Sequence, residues 1–273
     1  VPVAMGPDGP DMDEVCRLVE SDPTVKGIWC VPKYSNPTGI TYSDETVRRM
    51  AALKPAAPDF RIFWDNAYIV HDLTDEPDEL LEIFGAVAEA GNDDLVYEFA
   101  STSKVTFPGS GIAAVAASAA DADDLRAWFG IERVCSDKIC QLMHERWLPD
   151  AAAVRAHMAD QARVLRPRFE LVERKLTEGL GDLGCATWSH PKGGYFVSFD
   201  GPEGSARAIV SLAAELGVKM TGAGATWPYG KDPRDTNIRI APSYPSLEDL
   251  GAALDVFVAC VRLVSARLAR SKR

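Results

Sequence analysis

Lys104, in the run Ser101-Thr102-Ser103-Lys104, stands in the setting of this sequence that could do the most chemistry. A lysine amine forms a Schiff base with an aldehyde when it is held beside one and can lose its proton. Upstream stand Asn36-Pro37-Thr38-Gly39 and Asp65-Asn66-Ala67-Tyr68. Each of the three segments follows a short apolar run that reads as a strand. Together they bring an amide, a carboxylate, a phenol and an amine to successive strand ends. Asp65 follows Ile62-Phe63-Trp64, so its carboxylate is expected to be partly buried, and a buried carboxylate is costly unless paired. A protonated pyridine nitrogen is a suitable partner, and the pair keeps such a ring an electron sink. Capping a turn or helix is the other use of an aspartate there. These are the groups needed to hold and activate a pyridoxal phosphate ring.

The remaining candidates have the same double character. The Tyr68 hydroxyl could reach the phenolate oxygen of the ring, or Tyr68 could simply pack. The Asn36 amide could donate to the same oxygen, or Asn-Pro-Thr-Gly is only a tight turn. Ser101 and Ser103 could donate to a phosphate, or be ordinary loop serines. Gly193-Gly194-Tyr195-Phe196 sets a flexible turn before a strand. Arg239 is the one charged residue of Asn237-Ile238-Arg239-Ile240 and needs an anion. A carboxylate ligand held through both arms of the guanidinium is one answer, and a structural Asp or Glu is the other. Order, spacing and common position at strand ends carry more weight than any single residue.

The elements that must position these groups follow from pattern. Gly27–Pro32 reads as a buried strand, Ser43–Leu53 as a helix with Ser43 as N-cap and Glu45 in its first turn, and Arg61–Trp64 as a strand. Leu80–Ala90 reads as a helix closed near Gly91-Asn92, and Leu95–Ala100 and Gly111–Ser118 as strands. This alternation predicts an α/β layer with a mainly parallel sheet, where ligands collect at the carboxyl ends of the strands. After Ala120 the pattern changes. Asp121–Phe129 and Ser136–Trp147 read as helices, then Asp150–Leu180 as a long helical stretch with Asp150 as N-cap, interrupted and kinked at Pro167. Strands at Cys185–Ser189, Gly194–Phe199 and Asn237–Ala241, with helices at Ser205–Leu216 and Leu247–Ala269, make an α+β second domain.

Composition bounds the partners. The chain has 273 residues, is 47% hydrophobic and 25% charged, and carries a formal net charge of -11. So acidic a chain does not bind nucleic acid through its net field. The basic tail Arg267-Leu268-Ala269-Arg270-Ser271-Lys272-Arg273 reads as a solvated helix end. No apolar stretch approaches the ~20 residues of a membrane span, and no charged stretch followed by an apolar core is visible after Val1. The six cysteines lie apart without C-x-x-C spacing, so they read as buried thiols of a reducing cytoplasm rather than a metal or disulfide framework.

In this order, NPTG, D-x-A-Y, SxSK, GGYF and the late IRIAPS strand resemble the fold-type I, class I pyridoxal-phosphate aminotransferases. The stretches TSKVTFPGSGIA and ATWPYGKDPRDTNIRIAPSYP are similar to a bacterial aspartate aminotransferase subgroup often grouped with MocR-like proteins. The resemblance covers nearly the whole chain. It implies the α/β fold of fold-type I. Residues 1–149 would be the C-terminal part of the large cofactor-binding domain, with a mainly parallel sheet. Residues 150–273 would be a long interdomain helix and an α+β small domain. By position, Lys104 would be the Schiff-base lysine and proton shuttle, and Asp65 the partner of the pyridine nitrogen. Asn36 and Tyr68 would bind the ring oxygen, and Ser101 and Ser103 would lie by the phosphate. Arg239 would hold the substrate α-carboxylate, and Asn36 would also be a substrate-binding residue.

The activity implied is exchange of an amino group between an amino acid, aspartate or glutamate first, and a 2-oxo acid. The implied enzyme is a cytoplasmic homodimer that uses pyridoxal 5'-phosphate, with no metal, membrane or nucleic-acid partner. A lyase using the same cofactor is an alternative. So is an aminotransferase-like ligand-sensing domain of a MocR-type transcription regulator.

Two departures from the family pattern carry expectations. Where the family has a phosphate-binding arginine seven or eight residues after the lysine, this chain has Gly111 and Ile112. The family's earlier half, with its first strands, Gly-rich phosphate loop and ring-stacking aromatic, has no counterpart. The sheet is therefore expected to expose apolar surface and an open edge. The chain expressed alone is expected to bind the cofactor poorly, to lack transaminase activity and to aggregate.

Overall fold

The computed structural model describes residues 1–271, so Lys272 and Arg273 of the basic tail lie outside the described residues. A short hairpin, β1 (Met5–Gly6) with β2 (Gly9–Pro10), leads into α1 (Met12–Ser21), capped by the Asp11 carboxylate. No expectation from the sequence covered any of these three elements. Then follow β3 (Gly27–Cys30), α2 (Asp44–Ala51), β4 (Arg61–Asp65), α3 (Ile83–Ala90), β5 (Val96–Ser101) and β6 (Ala113–Ala116). Ser43 caps α2 as expected, accepting from the Thr46 amide at 3.2 Å. The sheet order is β3-β4-β5-β6; the first three strands are parallel and β6 is antiparallel to β5.

Side-chain alternation decides which face of this sheet is covered. Ile62 and Trp64 of β4 and Val96 of β5 join Val15, Val47, Met50, Ile83 and Val87 from α1, α2 and α3 in one core. Burying a large apolar side chain contributes about 1.5–3 kcal/mol. The opposite face carries Trp29, Phe63 and Phe99, whose nearly parallel rings form a triangle with centroid distances of 5.6 to 6.2 Å. Trp29 is 64% exposed. The expectation of a buried strand at Gly27–Pro32 is therefore corrected: the strand is shorter, and only Cys30 in it is buried. The expected apolar surface and open edges are found on this face and along β3 and β6.

The second half begins with α4 (Ala119–Glu132) and α5 (Lys138–Trp147), followed by α6 (Ala151–Leu180). Asp150 caps α6 through the Ala153 amide at 2.8 Å, as its position predicts. The expected interruption at Pro167 does not occur. The helix is continuous, with Met158 and Ala162 buried before the proline and Phe169, Leu171 and Val172 after it, so packing on both sides outweighs one lost hydrogen bond. A three-stranded antiparallel sheet of β7 (Thr187–Trp188), β8 (Val197–Asp200) and β9 (Asn237–Ile240) packs with α7 (Ala206–Glu215) and α8 (Leu247–Ser271). Phe199 meets Phe257 edge-on at 5.0 Å in this second core. Arg267 and Arg270 of α8 are exposed, in line with a solvated helix end.

The cysteine expectation is corrected too. Only Cys30 and Cys260 are buried, Cys135 is exposed and the other three are half-buried, Cys16 and Cys185 at the margins of the two cores. Among the described residues, no helix is long and apolar enough to cross a membrane, and no cluster of His, Cys, Asp or Glu could hold a metal ion.

Candidate active site

After β5, residues Thr102–Thr106 make a single tight turn, with the Val105 and Thr106 amides donating to the Thr102 carbonyl at 2.9 and 2.8 Å. Lys104 rides on this turn with an exposed side chain. Its Nζ lies 4.6 Å from the centre of the Tyr68 ring and makes no ion pair or hydrogen bond among the described residues. Tyr68 sits on the turn that follows β4. That turn is pinned to β5 by the Asn66 amide, which donates to the Phe99 carbonyl at 2.9 Å.

Asp65 closes β4 opposite Phe99 and is half-buried. Among the described residues its carboxylate accepts no hydrogen bond and joins no ion pair, so the cap alternative finds no bond to support it. Tyr68 is only 3% exposed and packs against His71, Tyr195 and Phe196. Burial pushes its phenol up to about 12, with Asp65 and Tyr195 adding to the rise and the Arg239 charge opposing it. At neutral pH the hydroxyl is therefore an uncharged donor.

Arg239, in the middle of β9, reaches across to the first half of the chain. Its Nη1 donates to Asn36 Oδ1 at 3.1 Å and its Nη2 to Thr221 Oγ1 at 3.4 Å. The guanidinium lies 4.4 Å over the Phe196 ring, and its Nε is buried without a partner. No Asp or Glu among the described residues pairs with it, which leaves the structural-carboxylate answer without a candidate. Asn36 itself is not at a strand end: residues 31–35 separate it from β3.

Ser101 and Ser103 are exposed and bonded to each other, with Ser101 Oγ donating to Ser103 Oγ at 2.9 Å and accepting from the Ser103 amide at 3.1 Å. Gly111 closes on the same place. A Cβ there would sit 2.5 Å from Ser103 Oγ and 2.8 Å from its amide nitrogen. No side chain fits at 111 with this backbone, which accounts for the glycine there; position 112 carries isoleucine.

The Gly193-Gly194 pair is a close approach as well as a turn. A Cβ on Gly193 would lie 2.1 Å from the Tyr34 ring, and Gly194 has φ +79°. The approach lets Gly194 donate to the His71 carbonyl at 2.9 Å and brings the Tyr195 hydroxyl to the Lys104 carbonyl at 3.0 Å. The sequence analysis missed His71, Thr221 and the part Tyr195 plays. His71 had a signal: with Asp65 and Tyr68 it repeats every third residue, the spacing of one helical face.

The structure thus brings Lys104, Asp65, Tyr68, Asn36 and Arg239 into one neighbourhood, with Ser101 and Ser103 at the start of the Lys104 turn. The family model for aspartate amino-transferase matches residues 1–273. A protein of Mycolicibacterium smegmatis, whose name assigns it provisionally to the aminotransferases, is 48% identical over 269 residues, which are 97% of this chain and 62% of that protein. A crystal structure of an aspartate transaminase from Corynebacterium glutamicum superposes with a TM-score of 0.95 at 43% identity, covering 98% of this chain and 63% of that one. At 20% identity, the α-aminoadipate aminotransferase LysN of Thermus thermophilus, solved with N-(5'-phosphopyridoxyl)-L-leucine, shares the fold with a TM-score of 0.80 over 97% of this chain and 66% of its own. The chain spans about three fifths of the length of the first two. A family model that covers every residue, and a fold-type I structure that superposes this well, place the chain in the aspartate aminotransferase family.

Proposed function

We propose that this protein moves an amino group between an amino acid and a 2-oxo acid with pyridoxal 5'-phosphate as cofactor, and that aspartate or glutamate is its first amino donor. One observation carries the reading. The Lys104 ammonium lies 4.6 Å over the Tyr68 ring, beside a half-buried Asp65, and neither charge has a partner among the described residues. A half-buried carboxylate without a partner is costly unless a ligand completes it, and the Lys104 amine beside it is free to react.

The donor set fits the cofactor. Asp65 offers a carboxylate for a pyridinium, Tyr68 an uncharged hydroxyl, and Ser101 and Ser103 hydroxyls for a phosphate. Asn36 Oδ1 is engaged by Arg239, which turns Nδ2 out as the free donor that a ring oxygen requires. When bound, pyridoxal phosphate supplies an aldehyde for an amine and an electron-withdrawing ring that eases loss of the α-proton. The chain's own residues then have separate tasks. Lys104 Nζ would take the proton from the substrate α-carbon and deliver it to the cofactor carbon that carried the aldehyde. Asp65 keeps the pyridine nitrogen protonated. Tyr68 and Asn36 orient the ring through its oxygen. Arg239, with no anion of its own, binds the substrate α-carboxylate through a planar fork.

We also propose a division at 149/150 into a large and a small domain, and a cytoplasmic homodimer. Trp128, Ile131, Val134 and Ile139 are exposed on and between α4 and α5, apolar surface of the kind that subunits bury. No observation favours the regulator or the lyase. Incubating the loaded enzyme, at its relatives' full length, with aspartate and 2-oxoglutarate tests the proposal. Oxaloacetate and glutamate should form in equal amounts; release of ammonia or carbon dioxide instead would mark a lyase.

A further inference from the structure

The exposed Lys104 side chain has no polar partner among the described residues, so its aim depends on its backbone. That backbone is gripped from several sides. The Lys104 carbonyl accepts from His71 Nε2 at 3.2 Å and from the Tyr195 hydroxyl at 3.0 Å. The Val105 carbonyl is met by His157 Nε2 at 2.8 Å and Gln161 Nε2 at 2.6 Å. The Thr102 hydroxyl lies 2.8 Å from His144 Nε2. Three of the chain's four histidines therefore close on residues 102–106.

His71 differs from the other two in what else it holds. It is 4% exposed, sits on the turn that carries Asp65 and Tyr68, and gives its own carbonyl to the Gly194 amide at 2.9 Å. A carbonyl only accepts, so Nε2 bears the hydrogen; Nδ1 is the bare nitrogen, buried without a partner. One neutral imidazole thus joins the Asp65–Tyr68 turn, the Gly193–Tyr195 approach and the main chain of Lys104.

We propose that His71 is a positioning residue that, together with Tyr195, fixes the path of the Lys104 amine through the Lys104 main-chain carbonyl. The inference rests on the reading of Lys104 as the amine of an aminotransferase. It assigns no proton transfer to His71. An imidazole that reaches only a backbone carbonyl acts by holding it, and small errors in the placement of a reacting group are costly in rate.

The test uses the holoenzyme of the protein at its relatives' full length, of which this chain spans about three fifths, with aspartate and 2-oxoglutarate, and compares His71→Leu, His71→Gln and Tyr195→Phe. Glutamine keeps an N–H at the end of its side chain, whereas leucine keeps bulk alone. Turnover, KM, melting temperature and borohydride trapping of the cofactor on Lys104, mapped by peptide mass, are read together. His71→Leu should lower kcat by about tenfold or more with KM little changed, and should slow trapping on Lys104. His71→Gln should recover most of both, and Tyr195→Phe should lower kcat and trapping in the same direction. If His71→Leu does not fold, Tyr195→Phe decides alone, since its hydroxyl meets the same carbonyl. Normal kcat and trapping in the folded variants would overturn the inference. So would a glutamine variant as impaired as the leucine one at equal melting temperature, because His71 would then only fill space. A wild-type enzyme that carries no cofactor on Lys104 would overturn the underlying aminotransferase reading, and the inference with it.

Discussion

Arg239 donates through Nη1 to the side-chain oxygen of Asn36 at 3.1 Å, although 203 residues separate the two. This bond joins the antiparallel sheet of the second half to a loop of the first, and it orients the Asn36 amide. The guanidinium keeps its remaining donors for an anion. Arg239→Lys should therefore lower kcat/KM for every amino-acid substrate alike. Loss of a hydrogen bond to a charged group, about 1.5–3 kcal/mol, corresponds to roughly ten- to 150-fold. Steady-state kinetics with aspartate, glutamate and alanine check it. Impairment confined to the dicarboxylic substrates would move Arg239 to the side-chain pocket.

Asp65 tests the same site from the cofactor side. Its carboxylate bonds to nothing among the described residues, so Asp65→Asn should leave stability within about 0.5 kcal/mol, as for a surface change. Activity should fall by about a hundredfold or more, since asparagine cannot balance a pyridinium. A fall below tenfold, about 1.4 kcal/mol of barrier, together with a lowered melting temperature would show a structural role instead.

Lys104→Ala should abolish borohydride trapping of the cofactor and leave the melting temperature of the cofactor-free protein unchanged, because the ammonium pairs with no described residue. Cofactor mass recovered on a different lysine would sink the assignment.

Gly193→Ala places a methyl group 2.1 Å from the Tyr34 ring. Overpacking of this kind costs about 1–3 kcal/mol. The same push should disturb the Gly194 and Tyr195 bonds to His71 and Lys104. Urea denaturation should show the loss, with a parallel drop in turnover. Wild-type values for both would mean that the approach is looser than the structure describes.

The buried imidazole of His71 gives a pH signature in stability. Burial pushes it down to about 4, with the bond to the Lys104 carbonyl opposing and the Lys104 charge adding. In the unfolded chain an ordinary histidine titrates near 6.5. Between those values the unfolded state binds the extra proton, so stability is fully present above about 6.5 and is lost as pH falls toward 4. The loss from this group is at most about 3 kcal/mol. Urea midpoints at pH 7 and pH 5 should differ less in His71→Leu than in wild type. An identical difference would place the titration elsewhere.

Elements in both halves were legible where their signals are local. Asp150 and Ser43 announce helix starts by offering an oxygen to free amides, and the alternation in Asn237–Ile240 marks a strand before any partner is known. Gly27–Cys30 was misread as buried because an apolar run is the same whether one face of the sheet is covered or two. Pro167 was misread as a break because local rules count its missing N–H and not the packing on either side. The short hairpin was missed because its strands are two residues long, too short to show a period, whereas α1 did carry a local signal in its Asp11 cap and its apolar Met12, Val15 and Val19.

The sequence by itself determined the inventory of the site: an amine, a carboxylate, a phenol, an amide and a lone arginine, in a family's order. Those identities are chemistry, and folding does not alter them. Only the tertiary structure decided that Arg239 meets Asn36, that Gly111 leaves no room for a side chain beside Ser103, and that His71 and Tyr195 share the Lys104 carbonyl. These are contacts between residues far apart in the chain, set by how strands and helices pack, and no local period or spacing encodes which distant neighbour fills a given space.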